Sequence, residues 1–186
     1  MSVARYPLPV VPPTRRLQVV RRLVAEAAAA DACRHGGWRE SLLVRNAAMV
    51  TLAITAGARS GEVSAIDLAD WRRRRSAVVL RRDPAGRGPG FQEEQPLDDT
   101  TAALLRMWLP HRARVLATLD GGHVPALFVS LRPNSRAGVL WPAGMRLHRY
   151  GVRDAWRRTA LRWHTDGEQW NWVPTRLEQL RRPEQG

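Results

Sequence analysis

An arginine and a glutamate follow a glycine in residues 55–71, and their types and spacing could support phosphate chemistry. Gly57 permits a tight turn after an apolar run, and such a turn would project Arg59 towards a ligand. A guanidinium suits a phosphate because its planar fork donates paired hydrogen bonds and stays charged at any working pH. Glu62 could accept from Arg59 and hold its rotamer. The simpler alternative is an Arg–Glu pair on a solvated helix surface.

The charge of the chain favours a polyanionic partner. The 186 residues carry a formal net charge of +13, and all 30 cationic residues other than histidine are arginines. Arginines that contact phosphates release condensed counterions, so we expect nucleic acid, and double-stranded DNA in particular, as the partner. The absence of lysine is also what coding bias in a GC-rich genome would produce. The total charge is therefore better evidence than the choice of arginine.

Length and composition indicate one globular domain, with 44% hydrophobic and 25% charged residues. No apolar run approaches the ~20 residues of a membrane span and no N-terminal signal pattern is present, so we expect a cytoplasmic protein without a membrane partner. A single cysteine, Cys33, excludes an internal disulfide. The histidines are scattered without metal-ligand spacing or a Ser-His-Asp arrangement, so we expect neither a metal nor a cofactor.

Two predicted helices precede the arginine corner. Residues 1–13 are rich in proline and should form an extended arm. A helix is predicted over residues 15–32, where apolar side chains form one stripe with arginines opposite. A second helix, over residues 39–56, is apolar nearly all round and should lie in the core. After the glycine, a shorter helix should cover residues 62–68.

A β-hairpin is predicted next. Residues 72–75 form a charged turn, residues 76–82 read as a strand rich in β-branched side chains, and residues 91–97 return as its antiparallel partner. Arg82 and Arg87 lie at the loop between these strands. Either arginine could bind a phosphate, and the alternative is a solvated loop charge.

The second half of the chain is predicted to be mainly helical. Asp98 or Asp99 should cap a helix over residues 100–119, which Pro110 should kink or divide. The apolar run ALFVSL reads as a strand, and a helix that is basic on one face should cover residues 147–163. A turn, a Trp-rich extended piece and a short helical stretch follow. The order of elements predicts an α+β fold, mainly α-helical, with a small antiparallel β-hairpin.

The arginine corner resembles the first arginine box of the tyrosine recombinases and phage integrases. That box is a helix ending in Gly-x-Arg, then a small residue, Glu, and apolar positions leading to a surface Asp; it is filled here by Gly57, Arg59, Gly61, Glu62, Val63, Ile66, Asp70 and Trp71. The resemblance implies an integrase-like catalytic domain over residues 14–186 and a role in DNA integration and site-specific recombination. The family's preceding helical domain has no counterpart except the arm at residues 1–13.

The resemblance also implies catalytic roles. In that family two arginines and a His or Lys stabilise the charge on the attacked phosphate, and a hairpin lysine protonates the leaving hydroxyl. Arg59 would be the first arginine and Arg181 the second, with Glu178 where the family has histidine; an exposed residue near a frayed terminus is the alternative for Arg181. A carboxylate at that position would repel a phosphate. Arg82 and Arg87 stand at the lysine position, where arginine is not a practical proton donor.

The family's tyrosine nucleophile has no match in the expected place. Tyr6 lies in the arm, and Tyr150 precedes the second arginine and is expected to pack within a helix. The resemblance therefore implies a domain that is incomplete at its C-terminus and does not cleave DNA by itself. Trp163, Trp170 and Trp172 could stack on bases, although such residues more often fill a core.

Three hypotheses remain open at this point. The first is a DNA-binding protein of the integrase type without strand cleavage of its own. The second is a catalytically inactive accessory module that retains the phosphate-binding arginines, and self-association on DNA is compatible with both. The third is a basic RNA-binding or interaction protein in which the arginine box is coincidental. Cleavage of a nicked substrate would exclude the second hypothesis, which is inactive by definition, and mutation of Arg59 separates both from the third.

Overall fold

The computed structural model describes residues 11–33, 37–82, 90–119, 123–136 and 138–181. The α-helices of this part are α1 (Pro13–Asp31), α2 (Trp38–Thr55), α3 (Ser60–Ala65), α4 (Asp99–Leu116) and α5 (Arg149–Thr165). Short 3₁₀ turns lie at Leu68–Asp70, Arg73–Arg75, Glu168–Trp170 and Leu177–Gln179. The predicted fold class, mainly α-helical with small antiparallel sheets, is confirmed.

Helix α2 is the centre of the core. It is buried without interruption over residues 44–54 and packs against α1 and α4. Its sequence is apolar nearly all round, and a helix of that kind is stable only when neighbours cover every face. The predicted core position of this helix is confirmed. None of the helices that the structure describes is both long and apolar enough to cross a bilayer.

Five strands form two separate antiparallel sheets within the described ranges. The first contains β1 (Trp71–Arg72), β2 (Ala77–Arg82) and β3 (Phe91–Pro96) in that order, and β2 pairs with β3 along its whole length. The second is a hairpin of β4 (Asn134–Arg136) and β5 (Val139–Trp141). The predicted hairpin between β2 and β3 is confirmed. Arg87, in its connecting loop, lies outside the described residues.

Several predicted boundaries and elements differ from the structure. The run ALFVSL forms no sheet strand; it is joined to its neighbours by single bridges, Ala126 with Asp67 and Val129 with Arg146. An apolar run of this length predicts only that the segment is buried. A buried extended segment without a paired strand has the same apolar pattern as a strand. Helix α1 already begins at Pro13, because proline is tolerated in the first turn. The Trp-rich piece contains a 3₁₀ turn.

Helix α4 confirms the predicted cap, and of the two outcomes predicted for Pro110 the division is wrong while the kink stays a prediction. The carboxylate of Asp98 accepts from the backbone N–H of Thr101 at 2.7 Å, so the predicted cap is present. The helix then runs through Pro110 undivided. A proline removes one backbone donor, and burial of the residues on both sides of it, including Trp108 and His111, retains the helix.

Hydrogen bonds around the buried His111 join α1, α2 and α4. Nδ1 of His111 lies 3.0 Å from Oγ of Ser41 and 2.7 Å from Nη2 of Arg114, and Nε2 lies 3.0 Å from Oδ1 of Asp31. A guanidinium can only donate, so Nδ1 accepts and Nε2 carries the proton that is shared with Asp31. This is a Ser-His-Asp contact that the scattered sequence positions did not predict. Because Ser41 is buried, the contact stabilises helix packing.

A second buried group, Arg45, fixes the ALFVSL segment to α2. Its Nη1 donates to the carbonyl of Val129 at 3.0 Å, and its Nη2 donates to the side-chain oxygen of Asn46 at 3.0 Å. Desolvation by burial lowers the pKa of Arg45 to about 10. The side-chain nitrogen of Asn46 donates in turn to Oγ1 of Thr159 in α5. Arg45 therefore links α2 to the ALFVSL segment directly and to α5 through Asn46.

A row of tryptophans joins α5 to the C-terminal segment. Successive ring centroids of Trp156, Trp163, Trp170 and Trp172 are 5.8, 5.4 and 6.3 Å apart. The guanidinium of Arg22 in α1 lies over Trp163 at 4.6 Å and over Trp170 at 4.3 Å. These indoles therefore fill the contact between α1 and the C-terminal segment, which favours the core role over base stacking.

Candidate functional site

The loop between α2 and α3 turns at Gly57. Its φ of +61° lies in the left-handed region, where a side chain would be strained. Helix α2 ends just before this glycine, and Arg59 is the N-cap residue of α3. The predicted helix-to-helix corner with Arg59 at its tip is therefore confirmed. Helix α3 ends at Ala65, a few residues earlier than predicted.

Glu62 holds the corner from within. Its Oε2 accepts from the backbone N–H of Arg59 at 2.7 Å, and its side chain is only 7% exposed. The carboxylate thereby satisfies one of the free amides at the start of α3. The sequence predicted a contact between Glu62 and the Arg59 side chain, and that contact stays a prediction. The contact in the structure is with the Arg59 backbone. Glu62 thus positions Arg59 by fixing the chain on which it stands.

Arg82 joins the first sheet to the same corner. Its Nη1 donates to Oε2 of Glu62 at 2.9 Å, its Nε to Oε2 of Glu93 at 2.6 Å, and its Nη2 to the carbonyl of Ala56 at 3.0 Å. Burial lowers the pKa of Arg82, but the hydrogen bonds and charges of the two glutamates outweigh burial and raise it above the ordinary value. The N–H donors of this guanidinium are therefore used in hydrogen bonds within the protein. Its main role is structural, and phosphate binding by Arg82 stays a prediction.

Beside this corner lies an open cleft of about 720 Å³. It is lined by α3, β2, the start of α5 and the C-terminal 3₁₀ turn. Its basic lining residues are Arg59, Arg81, Arg149, Arg153 and Arg181. The predicted site residues Arg59, Glu62 and Arg181 all line this cleft, although they come from distant parts of the sequence. Their roles towards a ligand stay predictions.

The cations of the cleft are held by neighbouring groups. Arg81 donates to both carboxylate oxygens of Asp70, at 2.8 and 3.0 Å. Arg149 lies over the ring of Tyr150 at 5.0 Å, and its Nη2 donates to the tyrosine hydroxyl at 3.3 Å. Arg153 donates from Nε to Oε1 of Glu178 at 3.2 Å. These contacts restrict the guanidinium groups while leaving them partly open to solvent.

Tyr150 is placed differently from the prediction. It was expected to pack within a helix, but 52% of the residue is exposed and it lines the cleft. The buried stripe of α5 passes through Val152, Ala155 and Trp156. Tyr150 falls outside that stripe in the first turn, so helical periodicity turns it towards the cleft.

Sequence reasoning missed three arginines of the cleft. Arg149 and Arg153 are four residues apart in α5, and that spacing places both on one helix face. The sequence did predict a basic face on this helix. It did not predict which part of the fold that face lies against. Arg81 neighbours Arg82 in β2, and successive strand residues point to opposite faces. No local pattern links Arg81 to the cleft.

The cleft is chemically suited to binding a phosphodiester. Its described lining contains five arginines against two glutamates, and its hydroxyl groups belong to Ser60 and Tyr150. No histidine is among these described lining residues, and arginine is too weak an acid to protonate a leaving group near neutral pH. The arginines of the lining can therefore bind and orient a phosphate.

Comparisons with known proteins give similarities to solved structures and none to a family model or a curated protein. A similar solved structure is described as "Crystal structure of XerA recombinase", with a TM-score of 0.49 and 16% sequence identity over 94% of this chain. The chain spans 48% of the length of that protein. Similarity at this level does not assign a function.

Proposed function

We propose that this chain is a DNA-binding protein of the tyrosine recombinase or integrase type, associated with DNA integration and site-specific recombination. In this proposal residues 14–186 form an integrase-like domain that binds the phosphates of duplex DNA in the arginine cleft. The observation that most supports it is the convergence of five arginines on one cleft from four parts of the chain: the α3 corner, β2, α5 and the C-terminal segment. A cytoplasmic location and self-association on DNA belong to the same proposal.

The physical basis of binding is electrostatic. Guanidinium groups in the cleft offer paired donors to phosphate oxygens, and the net charge of +13 attracts a polyanion from a distance. Arg59 would contribute most, because its backbone is fixed by Glu62 at the corner. A donor that is already positioned loses less conformational entropy when it binds. Arg181, which lines the same cleft, would contribute a further contact with the phosphates.

Strand cleavage by this chain alone is not part of the proposal. Tyr150 supplies a hydroxyl to the cleft. This hydroxyl accepts from Arg149, and the ring centroids of Tyr150 and His148 are 5.1 Å apart. A tyrosine hydroxyl needs a base or a lowered pKa to attack, and a leaving group needs an acid. The lack of a histidine among the described lining residues also favours the second candidate, an accessory DNA-binding module without chemistry.

The proposal is tested by measuring binding to a short random-sequence DNA duplex at several salt concentrations. If the protein neutralises roughly six phosphates, log K should fall with log salt with a slope of about −5. Little dependence on sequence is expected, because phosphate contacts carry no base information. An RNA duplex of the same length is the comparison. No DNA binding at low salt, or clearly tighter binding to RNA, would contradict the proposal.

A further inference from the structure

One wall of the cleft carries a carboxylate that faces its cations. Glu178, in the 3₁₀ turn Leu177–Gln179, lines the cleft. Its Oε1 accepts from Nε of Arg153 at 3.2 Å, and the two side chains are 32% and 52% exposed. The pair therefore lies at the open surface of the cleft. A phosphate that approached Arg153 could use its other N–H donors, but it would share the guanidinium with the Glu178 carboxylate and be repelled by it.

The backbone around Glu178 is anchored on both sides. Leu177 and Leu180 are buried in the core, and the carbonyl of Gln179 accepts from the backbone N–H of Val11 at 3.2 Å. A flexible tail could swing its carboxylate away from an incoming anion. This turn is held by its neighbours, so Glu178 stays close to the cations whether or not a ligand is present.

The other glutamate of the cleft has a different situation. Glu62 is buried and binds Arg82 and the backbone of Arg59, so it belongs to the frame of the corner. Glu178 pairs with an arginine that is half exposed. An ion pair with that much exposure contributes little to folding stability. The effect of Glu178 should therefore be found in ligand binding.

We propose that Glu178 is an internal competitor of the DNA phosphate for Arg153. This inference rests on the proposed function of the cleft and adds a determinant of its affinity and selectivity. Before binding, the carboxylate pairs with Nε of Arg153; when a phosphate binds the same guanidinium, the two anions repel each other and divide the charge of one cation. This repulsion makes the binding free energy of a single phosphate at Arg153 less favourable. A duplex recovers the loss because its other phosphates contact Arg59 and Arg149.

The test is Glu178→Gln, which removes the charge and keeps the shape. We expect duplex DNA to bind roughly three- to tenfold more tightly, the range for removing a like charge near a partly screened phosphate. The salt slope should stay close to the native value, because a duplex contacts Arg153 in both proteins. The matched control is Glu94→Gln, since Glu94 pairs with Arg75 at 3.7 Å outside the cleft lining. This control should change affinity less than twofold.

A double substitution shows whether Arg153 is the contested group. In an Arg153→Ala background, Glu178→Gln should gain clearly less affinity than in the native protein, because the competitor has lost its target. Equal gains from Glu178→Gln and Glu94→Gln would show an effect of bulk charge and overturn the inference. Native protein that binds DNA while Glu178→Gln changes nothing would also overturn it, leaving the proposed function intact. Failure of the native protein and both variants to bind DNA would instead refute the proposed function.

Discussion

Arg82 of β2 donates from Nη1 to Oε2 of Glu62 in α3 at 2.9 Å, across 20 residues of chain. The same oxygen accepts the backbone N–H of Arg59 at 2.7 Å. One carboxylate thus joins the first sheet to the corner that presents Arg59. The position of the arginine on which the proposed function depends is therefore set by a residue that need not touch the ligand.

The first prediction concerns that carboxylate. Glu62→Ala removes the acceptor that the partly buried guanidinium of Arg82 shares with the backbone amide of Arg59, so the free energy of unfolding should fall by about 2–4 kcal/mol. Glu62→Gln keeps an acceptor and should cost about 1–3 kcal/mol. Urea denaturation followed by circular dichroism measures both. Glu94→Ala, at an exposed pair, is the control and should cost less than about 1 kcal/mol; equal losses at the two glutamates would contradict this role.

The second prediction concerns Arg59. Arg59→Ala should weaken duplex DNA binding by ~1–3 kcal/mol, the range for losing a charge-assisted hydrogen bond, while the fold stays intact. Arg59→Lys should recover only part of the loss, because a point charge replaces a planar fork. The control is Arg75→Ala, in a turn where the side chain is 76% exposed. Equal losses at Arg59 and Arg75, at one salt concentration, would leave only a basic surface and no specific site.

The third prediction is that no covalent protein–DNA adduct forms on a nicked, recombinase-type suicide substrate. Arginine is a poor general acid, and general acid–base catalysis typically contributes ~10²–10⁴ in rate. Denaturing electrophoresis of labelled DNA detects such an adduct. An adduct that is lost in Tyr150→Phe would show that the exposed tyrosine of the cleft is a nucleophile. One that survives Tyr150→Phe would place the chemistry on another residue.

The fourth prediction concerns the buried hydrogen bonds of His111. His111→Ala removes a side chain that is 1% exposed and leaves Ser41 and Asp31 without it. The free energy of unfolding should fall by about 2–4 kcal/mol, from the cavity and from the lost hydrogen bonds. His123→Ala, at an exposed loop position, should cost less than about 0.5 kcal/mol. Similar losses at both histidines in a thermal or urea melt would exclude a structural role for the network.

Local signals in the sequence predicted the elements well. The apolar run of α2 predicted a central helix, and Asp98 marked the start of α4 through its side-chain cap. Gly57 predicted the corner because a glycine turn is a property of a few adjacent residues; the N-cap position of Arg59 was found only in the structure. The strand prediction for ALFVSL failed because burial alone does not supply a pairing partner.

The composition of the cleft was only partly predictable, for a physical reason. Arg59 and Arg181 could be singled out by their local patterns, but their approach depends on how α5 and the C-terminal turn pack. The contacts of His111 with Ser41 and Asp31 span 70 and 80 residues. Such distances in sequence carry no periodicity, so only tertiary packing reveals the contact.

The row of indoles gives this protein an intrinsic optical signal for one region. Four of its eight tryptophans, Trp156, Trp163, Trp170 and Trp172, lie along the junction of α5 with the C-terminal segment. Release of that segment would expose several indoles to water at once, while α2 and its neighbours could remain folded. If the fluorescence shifts to the red before the helical circular dichroism is lost, the segment that carries Glu178 and Arg181 detaches before the helices unfold.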